Sequence, residues 1–153
     1  MKKLALTDFA KYRYPSALEL SPDSRYLTFA LKDVDRERDG YRWNLWLYDL
    51  ERRESRQITQ GDDQRKAVWE DNTHILYKTT EPDEVLRARG FEEEWTVYHR
   101  LNVCTGEDRE AFRLPMSVSG LWKMDEGRYV FTGETHLDRP NLLELTGEAL
   151  EKE

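Results

Sequence analysis

The sequence predicts an all-β protein that forms part of a β-propeller with blades of four antiparallel strands. Short runs in which apolar and polar residues alternate are typical of half-buried strands. A strand, an acidic turn and an aromatic-ended strand follow one another three times. The turn residues Asp23, Asp71 and Asp125 are 48 and 54 residues apart, close to the repeat of about 40 to 50 residues in propeller blades. An antiparallel sandwich has similar strands, but does not repeat them in matching order.

A lead-in at 1–16 precedes the first predicted blade, at 17–61. The lead-in is expected to contain a short helix at 7–12, because Thr7 or Asp8 can cap it and Pro15 ends it. The first two strands are joined by Ser-Pro-Asp-Ser, in which proline presets φ and the polar side chains bond the local backbone. The predicted elements of the blade are strands at 18–20 and 27–31, an exposed charged loop or long hairpin connection at 32–40, and strands at 44–50 and 55–59.

The second predicted blade, at 64–114, repeats this order with an insertion. Its acidic turn contains Asp71, and its third strand runs from Trp95 to Val103. The insertion at 81–94 is expected to carry a short helix, with Pro82 at its first position and Gly90 as its stop. We therefore expect the blade to project this segment from its sheet.

The third predicted blade, at 116–153, is incomplete. A hairpin around Asp125 is followed by one further expected strand at 141–148. Propellers close with about four to eight blades, whereas this sequence supplies about two and a half to three. We therefore expect a truncated propeller fragment that exposes side chains such as Phe29, Trp46 and Tyr48, and that self-associates through these open blade faces.

The charge of the sequence argues against nucleic-acid and membrane binding. The 153 residues carry a net charge of −7, and acidic residues interrupt every Lys/Arg cluster. Nucleic acids and anionic membranes select uninterrupted basic surfaces. We predict neither as a partner.

The few cysteine and histidine residues indicate a reducing compartment and no metal site. Cys104 is the only cysteine, so no intrachain disulfide forms, and the three histidines lack ligand spacing. Met1-Lys2-Lys3 begins like a signal peptide, but Asp8 interrupts it before a useful apolar region. No segment has the roughly 18–20 apolar residues of a transmembrane helix. We expect a cytoplasmic protein without a cofactor.

Blade one resembles the propeller of the prolyl oligopeptidase family of serine peptidases, in particular its acylaminoacyl-peptidase-like branch. The similarity rests on three segments of the first blade and on the Thr-Asp-Phe start at 7–9, and it extends over most of residues 4–147. The segments are Ser-Pro-Asp-Ser-Arg-Tyr-Leu-Thr-Phe at 21–29, Asn-Leu-Trp-Leu-Tyr-Asp-Leu-Glu at 44–51 and Arg-Gln-Ile-Thr at 56–59. Blade two departs from the pattern with Glu-Asp-Asn, and the paired Gly-His and Trp-Asp signature of WD repeats is absent.

The resemblance implies a hydrolase whose propeller gates the access of short peptides to an α/β-hydrolase domain. Proteolysis in such a protein depends on Ser, Asp and His of that domain. The sequence has no Gly-x-Ser-x-Gly elbow to present a serine, so we expect no catalytic residue and no activity from these residues alone. His74, His99 and His136 are interpreted as structural or solvated residues. Cys104 is interpreted as an inert packing residue. The expected partners are the remaining blades, the hydrolase domain and short peptides.

The insertion carries the one candidate binding site, formed by Glu92, Glu93 and Glu94. The resemblance implies a pair of propeller glutamates that anchors the amino terminus of a peptide in some members of the family. Carboxylates suit an ammonium group because they combine charge with hydrogen-bond acceptance. A solvated acidic loop is the alternative interpretation.

A second function class remains open at this point. Propellers of the TolB type share the Ser-Pro-Asp turn and act as protein-interaction modules without a peptidase domain. A reading frame that continues to a Gly-x-Ser-x-Gly elbow distinguishes the two hypotheses.

Overall fold

The computed structural model describes residues 8–82, 94–125 and 127–134. Ten β-strands and one 3-10 turn account for the regular structure of these residues. The all-β fold class is therefore confirmed. The predicted N-terminal helix is not an α-helix, since only a 3-10 turn, Asp8–Lys11, occurs there. The helix predicted to begin at Pro82 is wrong at its start, because Pro82 ends a strand, and positions 83–90 lie outside the described residues.

Sheet one is a four-stranded antiparallel sheet in the order β1-β2-β3-β4. Its strands are β1 Tyr14–Leu20, β2 Tyr26–Asp35, β3 Gly40–Asp49 and β4 Glu54–Gln57. The two long strands pair along their whole length, from Tyr26 opposite Asp49 to Asp35 opposite Gly40. This order is the meander expected of one blade.

The charged segment after Leu31 is the end of a long hairpin, which was one of the two predicted alternatives, and half of it is strand. Residues 32–35 complete β2, and only residues 36–39 form the turn. The Asp35 carboxylate accepts the N–H groups of Glu37 at 3.0 Å and Arg38 at 3.2 Å. Asp39 takes a φ of 49°, a left-handed conformation that Asp tolerates better than most residues. Local hydrogen bonds and the left-handed conformation of Asp39 therefore stabilise a tight turn.

The chain after β4 folds back along the free edge of β3. The N–H of Leu45 donates to the Thr59 hydroxyl at 2.8 Å, and the N–H of Trp43 donates to the Asp62 carbonyl at 2.8 Å. The Asn44 and Asp62 groups exchange two further hydrogen bonds at 3.2 Å. These contacts satisfy backbone groups that an edge strand would otherwise expose.

Sheet two is also four-stranded, in the order β5-β6-β7-β8. Its strands are β5 Ala67–Trp69, β6 His74–Pro82, β7 Glu94–Asn102 and β8 Asp108–Leu114. A third, two-stranded sheet pairs β9 Ser117–Asp125 with β10 Arg128–Glu134. The predicted third strand of this blade, at 141–148, lies outside the described residues.

The chain divides into two compact units, Met1–Thr79 with His99–Arg109 and Thr80–Tyr98 with Glu110–Glu153. In the first unit, one apolar cluster joins a face of sheet one to a face of sheet two. Its buried members are Tyr26, Ala30, Leu45 and Leu47 from sheet one and Ala67, Trp69, Ile75, Tyr77, Leu101 and Val103 from the second sheet and its turn. The two sheets thus pack face to face, as neighbouring propeller blades do.

In the second unit, the Thr96 hydroxyl and a pair of stacked aromatic rings connect neighbouring strands. Thr96 donates to the Met116 carbonyl at 2.7 Å and accepts the N–H of Val118 at 3.1 Å. Tyr98 stacks on Phe112 with ring centroids 5.0 Å apart. Since the Thr96 side chain is 1% exposed, both its hydrogen bonds are protected from water.

Candidate functional site

The predicted glutamate site cannot be built from described side chains. Glu92 and Glu93 lie outside the described residues, and Glu94 begins β7 without a described side chain. The described acid at the other end of the insertion is Glu81, whose carboxylate lies 3.5 Å from the Arg113 guanidinium. The hydrogen bonds that Arg113 donates to the Glu110 carboxylate, followed by the charges of Glu110 and Glu81, raise the pKa of Arg113. The Arg113 guanidinium thus already pairs with two carboxylates, those of Glu81 and Glu110, where the insertion begins.

A cleft of about 370 Å³ lies between the turns of sheets one and two in the first unit. Tyr26, Leu47 and Val103 supply its apolar surface, and Arg52 and Arg56 supply positive charge. The sequence analysis missed this cleft. No local pattern identifies it, because it joins the β3–β4 turn to a turn about fifty positions later.

The charges of the cleft hold the two turns in place. The Asp49 carboxylate accepts the N–H groups of Glu51 and Arg52, both at 3.0 Å, and the bond from Arg52 lowers the pKa of Asp49 most. Arg56 donates to the carbonyl of Val103 in the turn of sheet two. The Asp49 carboxylate and the Arg56 guanidinium are therefore already engaged by the protein itself, which argues for a structural role of these two groups.

Cys104 is exposed on the rim of this cleft, which corrects the interpretation of Cys104 as a packing residue. Its sulfur lies 3.9 Å from the Tyr26 hydroxyl. Burial, followed by the contact with Cys104, raises the pKa of Tyr26. The backbone N–H of Cys104 donates to the Asn102 side-chain oxygen at 2.9 Å. The residue thus occupies a tight turn rather than the apolar cluster.

His74 links the two turns at one edge of sheet two. Its Nδ1 lies 2.9 Å from Asp71 Oδ2, and its Nε2 lies 3.2 Å from the Asn102 side-chain nitrogen. Because the side-chain nitrogen of Asn102 can only donate, Nε2 of His74 accepts its hydrogen bond. The Nδ1–H of His74 then donates to Asp71. Both ring nitrogens are occupied, so this His–Asp pair has no nitrogen left to act as a general base.

The turn of sheet two stabilises the Asp71 carboxylate strongly. Burial acts to raise the pKa of Asp71, but the N–H groups of Thr73 and His74 and the bond to the His74 ring outweigh it. They hold that pKa at about 2. Asp71 is therefore ionised at neutral pH and serves as an acceptor for the turn.

The second histidine of the described residues belongs to a similar network inside sheet two. His99 Nδ1 lies 3.3 Å from Asp108 Oδ1, and its ring stacks on Tyr77 at 5.3 Å. The Tyr77 hydroxyl donates to the other oxygen of Asp108. Burial, followed by the bond to Asp108, raises the pKa of Tyr77. His136, the third histidine, lies outside the described residues.

The described residues offer no further reactive constellation. Within 8–82, 94–125 and 127–134, no three His, Cys, Asp or Glu side chains are grouped so as to hold a metal ion. The same ranges contain no helix long and apolar enough to cross a bilayer.

Two solved structures have a similar arrangement of strands. The first is the β-propeller domain of the trilobed protease from Pyrococcus furiosus, with a TM-score of 0.56, 13% identity, and coverage of 80% of this chain and 34% of that chain. The second is acylaminoacyl peptidase from Pyrococcus horikoshii, with a TM-score of 0.61, 14% identity, and coverage of 87% of this chain and 20% of that chain. The sequence matches no family model and no curated protein.

These likenesses confirm the predicted resemblance to peptidase propellers at the level of the fold. At 13% and 14% identity, they identify successive propeller sheets rather than an activity. The chain spans about a third of one protein and a fifth of the other.

Proposed function

We propose that these residues form part of the non-catalytic propeller of a serine peptidase of the prolyl oligopeptidase family. In such a protein the propeller restricts access of short peptides to an α/β-hydrolase domain, which would lie outside this sequence. The observation that carries the proposal is the face-to-face packing of two four-stranded sheets in chain order, an arrangement similar to the propellers of two peptidases.

The described residues are better suited to form a wall, meaning a packed surface that excludes large substrates, than to catalyse a reaction. The rings of His74 and His99 are engaged by Asp71 and Asp108, and the cleft cations hold turns. A wall of packed sheets acts by excluding large substrates, which needs rigidity and no reactive group. We place this wall in the cytoplasm, in keeping with a single cysteine.

Activity-based labelling tests this proposal. A lysate from the native source is treated with a fluorophosphonate probe, which labels activated serines, and the polypeptide is detected with an antibody against residues 8–82. We expect a labelled band much larger than the 18.3 kDa of this chain. An unlabelled band near 18.3 kDa would contradict the proposal and leave a binding module.

We further propose that Glu93 and Glu94 bind the amino terminus of the peptide. In the labelled polypeptide, Glu93→Gln and Glu94→Gln should each raise KM for peptides with a free amino terminus by about tenfold, since a charge-assisted hydrogen bond contributes about 1.5–3 kcal/mol. Amino-blocked peptides and the exposed control Glu107→Gln should show unchanged kinetics. Equal KM values for wild type and variants on both kinds of peptide would remove the glutamates from the proposal, while leaving the labelling result intact.

A further inference from the structure

The buried part of the lining of the cleft between the turns of sheets one and two is apolar. Leu47 and Val103 line it, are almost fully buried, and belong to the cluster that joins the two sheets. The Tyr26 ring adds further apolar surface. All the lining residues belong to the first compact unit. The cleft is therefore a feature of one unit, and it offers apolar surface to a bound molecule.

The exposed part of the lining carries charges of both signs. Asp49 and Glu54 supply two carboxylates, and Arg52 and Arg56 supply two guanidinium groups. Asp49 lies opposite Glu54, and Leu47 lies opposite Arg56, in the pairing of β3 with β4. Alternate residues of a strand, and residues opposite each other in an antiparallel pair, share one face of the sheet. Both charged strand residues, Glu54 and Arg56, therefore lie on the same face as the apolar Leu47.

Two of these charged groups remain available to a ligand. The Arg52 side chain is 72% exposed, and its guanidinium lies 3.9 Å from the Asp49 carboxylate, which is beyond hydrogen-bond distance. Among the described residues, the Glu54 carboxylate and the Ser55 hydroxyl have no hydrogen-bonded or ionic partner. Arg52 and Glu54 can thus bind a charged molecule without breaking a hydrogen bond that holds a turn.

A molecule that matches this lining has an apolar body and one charge of each sign. The two carboxylates and two guanidinium groups cancel, so the cleft complements a zwitterion better than an anion. Its volume of about 370 Å³ lies near the lower end of the roughly 300–1,000 Å³ of small-molecule sites. A dipeptide with free ends and apolar side chains has this charge pattern and a correspondingly small size.

We infer that the cleft binds a dipeptide with free termini and apolar side chains. The Arg52 guanidinium binds the carboxylate of the dipeptide, and the Glu54 carboxylate binds its ammonium group, both through charge-assisted hydrogen bonds. An apolar side chain of the dipeptide contacts Leu47 and Val103. This site is separate from the glutamates of the insertion. It does not depend on the proposed peptidase, because every lining residue lies in this chain.

Cys104 reports on the occupancy of the cleft, because it is the only cysteine and is exposed on the rim. The whole 153-residue chain is treated with iodoacetamide, a neutral thiol reagent, at increasing concentrations of leucyl-leucine, and calorimetry measures binding in parallel. We expect saturable protection of the thiol and a heat of binding with the same Kd. N-acetyl-leucyl-leucine lacks the ammonium group, and leucyl-leucinamide lacks the carboxylate. Each should bind about tenfold more weakly, since each loses a charge-assisted hydrogen bond.

Substitutions in the β3–β4 turn assign the two charges. Arg52→Gln and Glu54→Gln should each raise the Kd of leucyl-leucine about tenfold. The effect of Arg52→Gln should disappear with leucyl-leucinamide, and that of Glu54→Gln with the N-acetylated dipeptide, because the partner group is then missing. Arg53→Gln and Glu51→Gln are the matched controls, since they remove the same charges from the same turn but do not line the cleft.

The controls should leave the Kd unchanged, and tryptophan fluorescence melts confirm that all four variants fold. Neither protection of Cys104 nor a heat of binding at dipeptide concentrations up to about 10 mM would overturn the inference. Equal Kd values for the free and the blocked dipeptides, or for the cleft variants and their controls, would overturn it as well.

Discussion

Sheets one and two make the same turns with different side chains. After the third strand of each sheet, the N–H of Arg53 donates to the Asp49 carbonyl and that of Gly106 to the Asn102 carbonyl, both at 2.8 Å. Asp49 and Asn102 each accept two further N–H groups through a side-chain oxygen. The turn thus depends on one oxygen-bearing side chain at its start, and the other positions vary.

The sheets differ in which side chain connects their turns. In sheet one, Asp23 accepts the Ser21 hydroxyl at 2.7 Å and the Arg25 N–H at 3.1 Å. Arg25 joins this turn to the opposite one, because its guanidinium lies 3.6 Å from the Glu51 carboxylate and its carbonyl accepts the Leu50 N–H at 3.0 Å. In sheet two, His74 joins the Asp71 turn to Asn102 in the opposite turn. The turns are joined by an exposed ion pair in sheet one and by a less exposed histidine in sheet two. Because exposed ion pairs contribute little to stability, substitutions in the turns of sheet two should cost more than their matches in sheet one.

The largest difference is expected at the matched positions Ile75 and Leu27, the first residues of β6 and β2 that pair with the preceding strand. Ile75→Ala should reduce the free energy of unfolding by about 2–5 kcal/mol, since it leaves a cavity in the buried cluster. Leu27→Ala, at a half-buried position, should cost about 1 kcal/mol. Urea denaturation at a concentration where the chain is monomeric measures both. Equal costs would contradict the difference in burial between Ile75 and Leu27.

The acidic turns should differ in pH dependence. The shift of Asp71 from 3.8 to about 2 corresponds to about 2.5 kcal/mol, which solvent screening reduces to about 1 kcal/mol because this side chain is 56% exposed. A carboxyl with a lowered pKa stabilises the fold above its unfolded pKa and loses that effect as pH falls through its folded pKa.

Asp71→Asn should therefore be less stable than wild type at neutral pH, and the difference should vanish between about pH 4 and pH 2. Asp23→Asn is the matched control, with a smaller change because Asp23 has no histidine partner among its hydrogen bonds. Thermal melts across this pH range measure both variants. A difference for Asp71→Asn that persists undiminished at pH 2 would contradict the account of this turn.

The local parts of the fold could be predicted from the sequence, and the contacts between distant elements could not. The turns at Asp23, Asp71 and Asp125 form where predicted, because their hydrogen bonds involve neighbours within five residues. The charged end of β2 was missed, since Lys32 is held across the strands by the Tyr41 ring at 3.6 Å. Local composition does not reveal such a cation–π contact.

The choice of core face also depended on a distant element. Alternation groups Leu27, Phe29 and Leu31 on one face of β2, but does not show that the other face, with Tyr26 and Ala30, is the buried one. Both faces of β2 are apolar enough for burial, and the position of sheet two decides between them. The link from Arg56 to Val103 was missed for the same reason.

The smallest effect is expected from exchanging the turn residues Arg53 and Gly106. Arg53 has a φ of 57° and Gly106 a φ of 79°, a region that costs a residue with a Cβ about 1–2 kcal/mol. After the entropy of glycine is subtracted, Arg53→Gly should stabilise and Gly106→Arg should destabilise by about 0.5–1 kcal/mol. Chemical denaturation measures both, and changes of the same sign would refute the equivalence of the two turns.

A double-mutant cycle between sheets one and two tests most directly whether they are adjacent blades. Tyr26 and Trp69 have ring planes 14° apart and centroids 6.5 Å apart, and the indole N–H donates to the Glu19 carbonyl at 3.1 Å. The free energies of unfolding of Tyr26→Leu, Trp69→Leu and the double variant should give a coupling of about 1 kcal/mol, within the range for contacting residues. Costs that add to within about 0.3 kcal/mol would contradict face-to-face packing of the two sheets.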